Sequence, residues 1–267
     1  MNEFVETVWE HYAKNNRELP WRMPETDGSS DPYKIMVSEI MLQQTQVSRV
    51  AVKYEQFLAE FPNVRALANA SLSKVLIVWQ GLGYNRRAKY LHEASKKIQK
   101  DYAGKLPTSK EELTALPGIG PNTAAAILVY AHNSPEVFVE TNIRSVYLHH
   151  FFQDREDITD KEIQKLVKET LQKSPRDWYW ALMDYGTFIK KTHGNPNKRS
   201  KSYARQSKFA GSTRQVRGMV LRELSKGSRS VKELQVNIQD ERVTGIIQVL
   251  EKEGLITKTE ELYHLPR

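Results

Sequence analysis

From the N-terminus to about residue 250, apolar residues recur at the spacing of one helix face and almost never alternate as a half-buried strand requires. Val37, Ile40 and Met41, then Val50, Tyr54, Phe57 and Leu58, then Ile163, Leu166 and Val167 are examples. A chain patterned this way buries its apolar surface by packing helix on helix. Helix starts are marked by Asp31-Pro32, Ser71, Thr108, Pro121, Thr159-Asp160 and Ser174-Pro175, each a cap or a first-turn proline. The pattern predicts about ten short helices up to residue 190. The opening MNEFVETVWEHYAKN reads as an amphipathic helix with acids in its first turn and unlike a signal peptide. At 267 residues and 39% hydrophobic, the chain can fill two ordinary cores and is too polar for a membrane span. One large domain and one small one, in a cytoplasmic, nucleoid-associated monomer with no membrane partner, is the expectation.

Charge narrows the partner. A formal net charge of +8 points to an anionic ligand, with nucleic acid ahead of a membrane surface. No acidic residue occurs from Tyr185 to Arg222, and HGNPNKRSKSYARQSKFAGSTR reads as a basic linker or loop. The expected division is therefore a core over 1–190, a basic segment over 191–212 and a small domain over 213–267. In that last part, helical patterns near Thr213 to Ser225, Ser230 to Val236 and Gln239 to Glu253 precede a candidate hairpin, an order resembling a winged helix-turn-helix. Its presumptive recognition helix, QDERVTGIIQVLEKE, carries Asp240, Glu241, Glu251 and Glu253 against Arg242 and Lys252. A net-negative helix is a poor groove reader. The domain is expected to pack on the core or bind another protein, and truncation near Ala210 to leave activity largely intact if the protein stays soluble. The chain has no cysteine, which excludes disulfides, thiolate metal sites and an iron-sulfur cluster held by cysteine. His193 alone makes no metal site, so no cofactor is expected.

The stretch LPGIGPNTAAAILVY, Leu116 to Tyr130, sets two glycines and a proline in front of an alanine-rich apolar run. A helix starting at Pro121 leaves its first backbone N–H groups without intrahelical acceptors. Gly118, Ile119, Gly120 and Asn122 would then form a phosphate clamp, because glycine allows close approach and the helix dipole favours an anion. The alternative is an ordinary helix-turn-helix packing glycine.

With these pieces in order, the sequence resembles the helix-hairpin-helix DNA glycosylases, and most closely the MutY-type adenine glycosylases. The resemblance runs from about Arg17 to Lys190 through RELPWR, DPYKIMVSEIMLQQTQVSRV, FPNVRALANASLSKVLIVWQGLGYNRRAKYLHEA, LPTSKEELTALPGIGPNTAAAIL, FVETNIRSV and WALMDYGTFI. It implies an all-α, two-lobed glycosylase core, here followed by a small winged-helix-like α+β domain, and double-stranded DNA with a mispaired or damaged base as partner. Such enzymes flip a base out of the stack and hydrolyse its bond to the sugar, which calls for a proton donor and a fixed negative charge. The resemblance gives Glu39 the role of general acid. Its apolar neighbours Val37, Ile40 and Met41 favour a carboxyl kept protonated. The second carboxylate falls in VETNIRSV, where the family has aspartate, a variable residue and asparagine, and this chain has Glu140, Thr141 and Asn142. Glu140 could equally cap the helix that follows.

Where lyase members carry a nucleophilic lysine, Asn122 stands in G-P-N-T, implying a monofunctional hydrolase. Gln43, Gln44 and Tyr84 carry over as DNA-probing residues. Arg86, Arg87 and the run Lys198, Arg199, Lys201 and Arg205 would contact phosphates. Most of the family carries a four-cysteine iron-sulfur loop after the piece matching MDYGTFI, and here that stretch is IKKTHGNPNKRSKSYARQSKF. The implied activity is excision of adenine opposite guanine or 8-oxoguanine. Thymine or uracil excision from mismatches, and non-catalytic binding of DNA structures, are the alternatives.

Overall fold

The computed structural model describes residues 1–267. In chain order the helices are α1 (Asn2–Asn15), α2 (Pro32–Leu42), α3 (Val47–Glu60), α4 (Val64–Asn69), α5 (Leu72–Val78), α6 (Arg86–Asp101), α7 (Lys110–Thr114), α8 (Pro121–His132), α9 (Thr141–Phe151), α10 (Asp160–Glu169), α11 (Pro175–Thr192), α12 (Thr213–Ser225), α13 (Val231–Ile238) and α14 (Val243–Lys252). A hairpin of β1 (Thr257–Thr259) and β2 (Leu262–His264) follows, paired antiparallel with Lys258 opposite Tyr263. No helix is long and apolar enough to cross a membrane.

Most sequence-marked starts have the chemistry that was read. The Asp31 carboxylate accepts from Tyr33 N at 2.8 Å, Ser71 Oγ accepts from Lys74 N at 3.3 Å, and Thr159 with Glu162 forms a reciprocal capping box. Thr108 differs: the helix there begins two residues later, at Lys110.

The chain forms two compact units. The first comprises Met1–Ile35, Thr108–Lys110 and Gly120–Arg205. In it α11 packs along α9 and α1, and α10 rests on α9. Its core is aromatic: Phe4 of α1 meets Tyr147 at 5.4 Å and Trp178 at 6.1 Å between ring centroids.

The second unit comprises Met36–Pro107, Glu111–Ile119 and Gln206–Arg267. Here α6 packs on α4 and α5, and α12 packs on α5, α13 and α14. The three C-terminal helices and hairpin appear in the order read from the sequence. They are not separate from the preceding helices, however, but share one unit with α3 to α6. Lys89 Nζ of α6 donates to the Glu253 carbonyl at 2.6 Å, and Ser73 N donates to the Pro266 carbonyl at 3.0 Å. Val216, Val220, Leu221 and Leu224 of α12 are buried. The segment packs on the helices before it, one of the two expectations for it, and truncation near Ala210 would strip α12 from α5.

The basic segment 191–212 is likewise no loose linker throughout. Pro196–Arg199 form a 3₁₀ turn, and Ser200 bridges Ile158 in parallel. Asn197 is 2% exposed, and its amide donates to the Thr141 carbonyl at 3.2 Å and Ser145 Oγ at 2.6 Å.

Candidate active site

Glu140 is the N-cap of α9. Its Oε1 accepts from Asn142 N at 2.6 Å and Ile143 N at 2.9 Å, and Oε2 accepts from Asn142 Nδ2 at 3.4 Å. The capping alternative read from the sequence is therefore realised. It does not compete with an electrostatic role, since capping fixes a negative charge at the positive end of a helix dipole. Burial pushes the Glu140 carboxyl above its ordinary range, against the helix N–H groups and the charges of Lys190 and Arg144, which favour the ionised form. Burial in turn depresses the Lys190 ammonium, and Glu140 opposes that. Lys190 is thus a partner of the carboxylate that sequence reading missed. The only available signal was the spacing on α11 of Met183, Thr187 and Lys190, one helix face.

That face touches Asn142. Its Oδ1 accepts from Thr187 Oγ1 at 3.4 Å, and its Nδ2 lies 3.8 Å from Met183 Sδ. Between them α11 crosses the α9 N-terminus at Gly186, where a Cβ would sit 2.7 Å from the Asn142 carbonyl carbon and closer still to its oxygen. Gly186→Ala must push the two helices apart. It is expected to cost about 1–3 kcal/mol in a denaturant titration and to displace Glu140, lowering activity beyond what lost stability explains.

Asn122 does not present a free amide. Its Nδ2 donates to the Val139 carbonyl at 3.0 Å, tying the start of α8 to the residue before Glu140. The side chain thus positions backbone, while the residue itself stays exposed at the start of α8. Asp184 holds RELPWR. It accepts from Arg17 N at 2.9 Å and Arg17 Nε at 2.6 Å, and from Arg22 Nη1 and Nη2, each at 2.8 Å.

Glu39 lies half-buried on α2 in the second unit. The same unit gathers the DNA-probing candidates. Gln43, Gln44, Tyr84, Arg86 and Arg87 line a cavity of about 490 Å³ together with Tyr90 and α12 residues. Gln44 and Tyr84 have left-handed backbones, φ 56° and 48°.

Arg87 is another correction. Its guanidinium is buried and donates to the carbonyls of Ile40, Met41 and Gln43 at 2.6–2.8 Å, to Thr45 Oγ1 at 2.9 Å and to the Gly83 carbonyl at 3.2 Å. It welds the end of α2 to the GLGY turn, with both terminal nitrogens bonded to protein acceptors and Nε buried, which keeps the guanidinium out of reach of a phosphate. Burial lowers its pKa to about 10. Arg86 is exposed, donates to Tyr90 Oη and lies over the Tyr90 ring.

Tyr90 also backs the glycine corner. Gly118 has φ 77°, and a Cβ there would lie 2.7 Å from Tyr90 Cβ, so both conformation and packing demand glycine. Ile119 is 4% exposed and its N–H donates to the Leu116 carbonyl, which removes it from the clamp as a side chain and as a donor. Gly120, exposed and with open space above its Cα, fits close approach by a phosphate.

The residues following α11 do not fit an iron-sulfur cluster. They offer no thiolate, and no group of three His, Cys, Asp or Glu side chains in the structure could hold a metal ion. In place of a cluster, the segment is closed by Asn197 and by Arg199, whose guanidinium donates to the Leu148 and Gln153 carbonyls at 2.8 Å. Arg199 thus braces the segment against α9, while Lys198 and Lys201 on either side are exposed.

Residues 37–173 match the HhH-GPD superfamily of base excision DNA repair proteins. The chain belongs to this superfamily. It is 34% identical over 193 residues to an adenine DNA glycosylase of Buchnera aphidicola subsp. Baizongia pistaciae, covering 70% of this chain and 52% of the relative. It is 41% identical over 135 residues to one of Mycobacterium tuberculosis, covering 51% and 43%. The chain spans about half the length of these relatives. Its HhH-GPD fold is similar to that of a thermostable thymine-DNA glycosylase, with TM-score 0.62, 23% identity and coverage of 74% of this chain and 91% of that one. A trapped endonuclease III–DNA covalent intermediate aligns with TM-score 0.57 and 15% identity, covering 80% and 91%.

Proposed function

We propose that the chain is a monofunctional DNA glycosylase that flips a mispaired base out of duplex DNA and hydrolyses its bond to the sugar, with adenine opposite guanine or 8-oxoguanine as the base removed. The observation that carries this is the Glu140 carboxylate fixed at the start of α9 by two backbone N–H groups, with Asn142 braced by α11, inside a superfamily match shared with relatives named adenine DNA glycosylase.

The roles follow from charge. As the bond between base and C1′ breaks, its electrons leave with the base and positive charge grows on the sugar. Glu39 donates a proton to the departing base. Glu140 stabilises the cation. Water then adds to C1′ and gives a proton back to Glu39. Gly120, Lys198, Lys201 and Arg86 supply phosphate contacts, so affinity for duplex DNA falls steeply with salt. Asn122 stands where a lyase would need its amine, and no cofactor enters the reaction.

Single-turnover incubation with mismatched and modified duplexes, protein in excess, tests the reading. Alkali-labile sites are expected at adenine opposite guanine or 8-oxoguanine, with no nicking before alkali, no borohydride-trapped complex and no effect of chelators. Cleavage confined to thymine or uracil opposite guanine would move the assignment to that base. No cleavage of any duplex would leave a DNA-structure binder.

A further inference from the structure

We propose that Arg214, on α12, is a positioning residue for Tyr84, and that through it the C-terminal segment is part of the surface that reads the duplex. The inference rests on the glycosylase reading, in which the GLGY turn meets DNA.

Tyr84 combines two features that together need support. Its backbone is left-handed, which is rare for a bulky residue and persists only where surroundings over-determine it. Its side chain is half-buried, on the rim of the cavity carrying Gln43, Gln44 and Arg86.

The support comes from the C-terminal segment. Tyr84 Oη accepts from Arg214 Nη1 at 2.7 Å and also from Gln206 Nε2. The Arg214 guanidinium lies 5.2 Å from the Tyr84 ring centroid, and that of Arg87 lies 5.4 Å away. Arg214 is held in turn, since its Nη2 donates to the Ser207 carbonyl at 2.7 Å and Ser207 Oγ at 3.2 Å. One turn along α12, Arg217 pairs with Glu253, whose carbonyl accepts from Lys89 on the helix that follows the GLGY turn. Thus α12 and α14 bracket the loop, and a planar fork that both bonds the hydroxyl and covers the ring fixes the tyrosine in two directions. A lysine would supply one of these.

The test uses the full chain and duplexes carrying 2-aminopurine beside the mismatch, whose fluorescence rises when a side chain disturbs the stack. Tyr84→Ala, Tyr84→Phe, Arg214→Ala and Arg214→Lys are compared with the parent, with melting curves to confirm folding. Arg214→Ala is expected to lose most of the fluorescence rise and about tenfold of the preference for adenine opposite guanine over adenine opposite thymine, the scale of one charge-assisted hydrogen bond. Tyr84→Phe should lose a similar share. The double variant should lose no more than either single one, and Arg214→Lys should recover part. Additive losses, or an Arg214→Ala protein that matches the parent while Tyr84→Ala does not, would overturn the proposal. A Tyr84→Ala protein indistinguishable from the parent also overturns it, because nothing would remain to be positioned. The fluorescence step needs binding alone, so absence of excision by the parent on every duplex is read separately, as failure of the glycosylase assignment.

Discussion

Glu140→Gln is expected to slow single-turnover excision by about 10²-fold or more while leaving duplex binding nearly unchanged, the scale on which removal of one preorganised electrostatic group acts. The substitution is informative because of the cap. A glutamine carbonyl oxygen can still accept from Asn142 N and Ile143 N, so α9 keeps its start and the protein its fold. Only the charge is removed. A variant that cuts at the parent rate would mean that Glu140 does nothing more than cap. Glu39→Gln is expected to be at least as damaging, since it removes the proton donor.

The same carboxylate sets a pH dependence. Burial raises the Glu140 carboxyl, and the ionised form is the one that stabilises a cation, so excision is lost as pH falls through that raised value. Lys190→Met removes a charge that favours ionisation. The acid limb of the rate profile should therefore move to higher pH, with the plateau at higher pH less affected. A limb that stays in place would show that Lys190 does not act on Glu140.

What the sequence disclosed and what it hid divide along local and distant interactions. Caps, first-turn prolines and the glycine corner are written in neighbouring residues, and α2, α5, α8, α10 and α11 start where Pro32, Ser71, Pro121, Thr159 and Ser174 place them. Arg87 was misread because an arginine beside another arginine looks like a basic patch. Whether a guanidinium meets phosphate or five backbone and hydroxyl acceptors depends on α2 and the GLGY turn lying against it. Arg199 likewise spends donors on backbone carbonyls that its neighbours in sequence do not reveal. Composition marked its segment as a basic linker or loop, yet Asn197 and Arg199 bond to α9 some 50 residues earlier in the chain, beyond what a local pattern encodes. Glu140 could be located, its departure from aspartate noticed and its cap read as an alternative from neighbouring residues, but its lysine comes from the packing of α11 on α9.

Asp184→Asn is the substitution expected to cost most in stability. The carboxylate is 3% exposed and takes four N–H donors from Arg17 and Arg22, which fills its acceptor capacity. An asparagine amide has one acceptor oxygen and would point N–H groups at a guanidinium, leaving two arginines partly buried without a counter-charge. Breaking a buried pair from one side costs about 3–5 kcal/mol, against total stabilities of about 5–15 kcal/mol for ordinary domains. Denaturant midpoints at constant slope would measure it. The pH signature separates this from simple loss of packing. Burial pushes the Asp184 carboxyl up, but hydrogen bonds and charge from Arg22, then Arg17, outweigh it and leave the group below its ordinary value. A carboxyl depressed on folding contributes stability that is fully present above its unfolded pKa and disappears as pH falls through the folded one. The parent should thus lose this part of its stability in acid, below about pH 4, and Asp184→Asn should lack that part of the slope. Equal loss at neutral and acid pH would assign the effect to packing and not to the charge on Asp184.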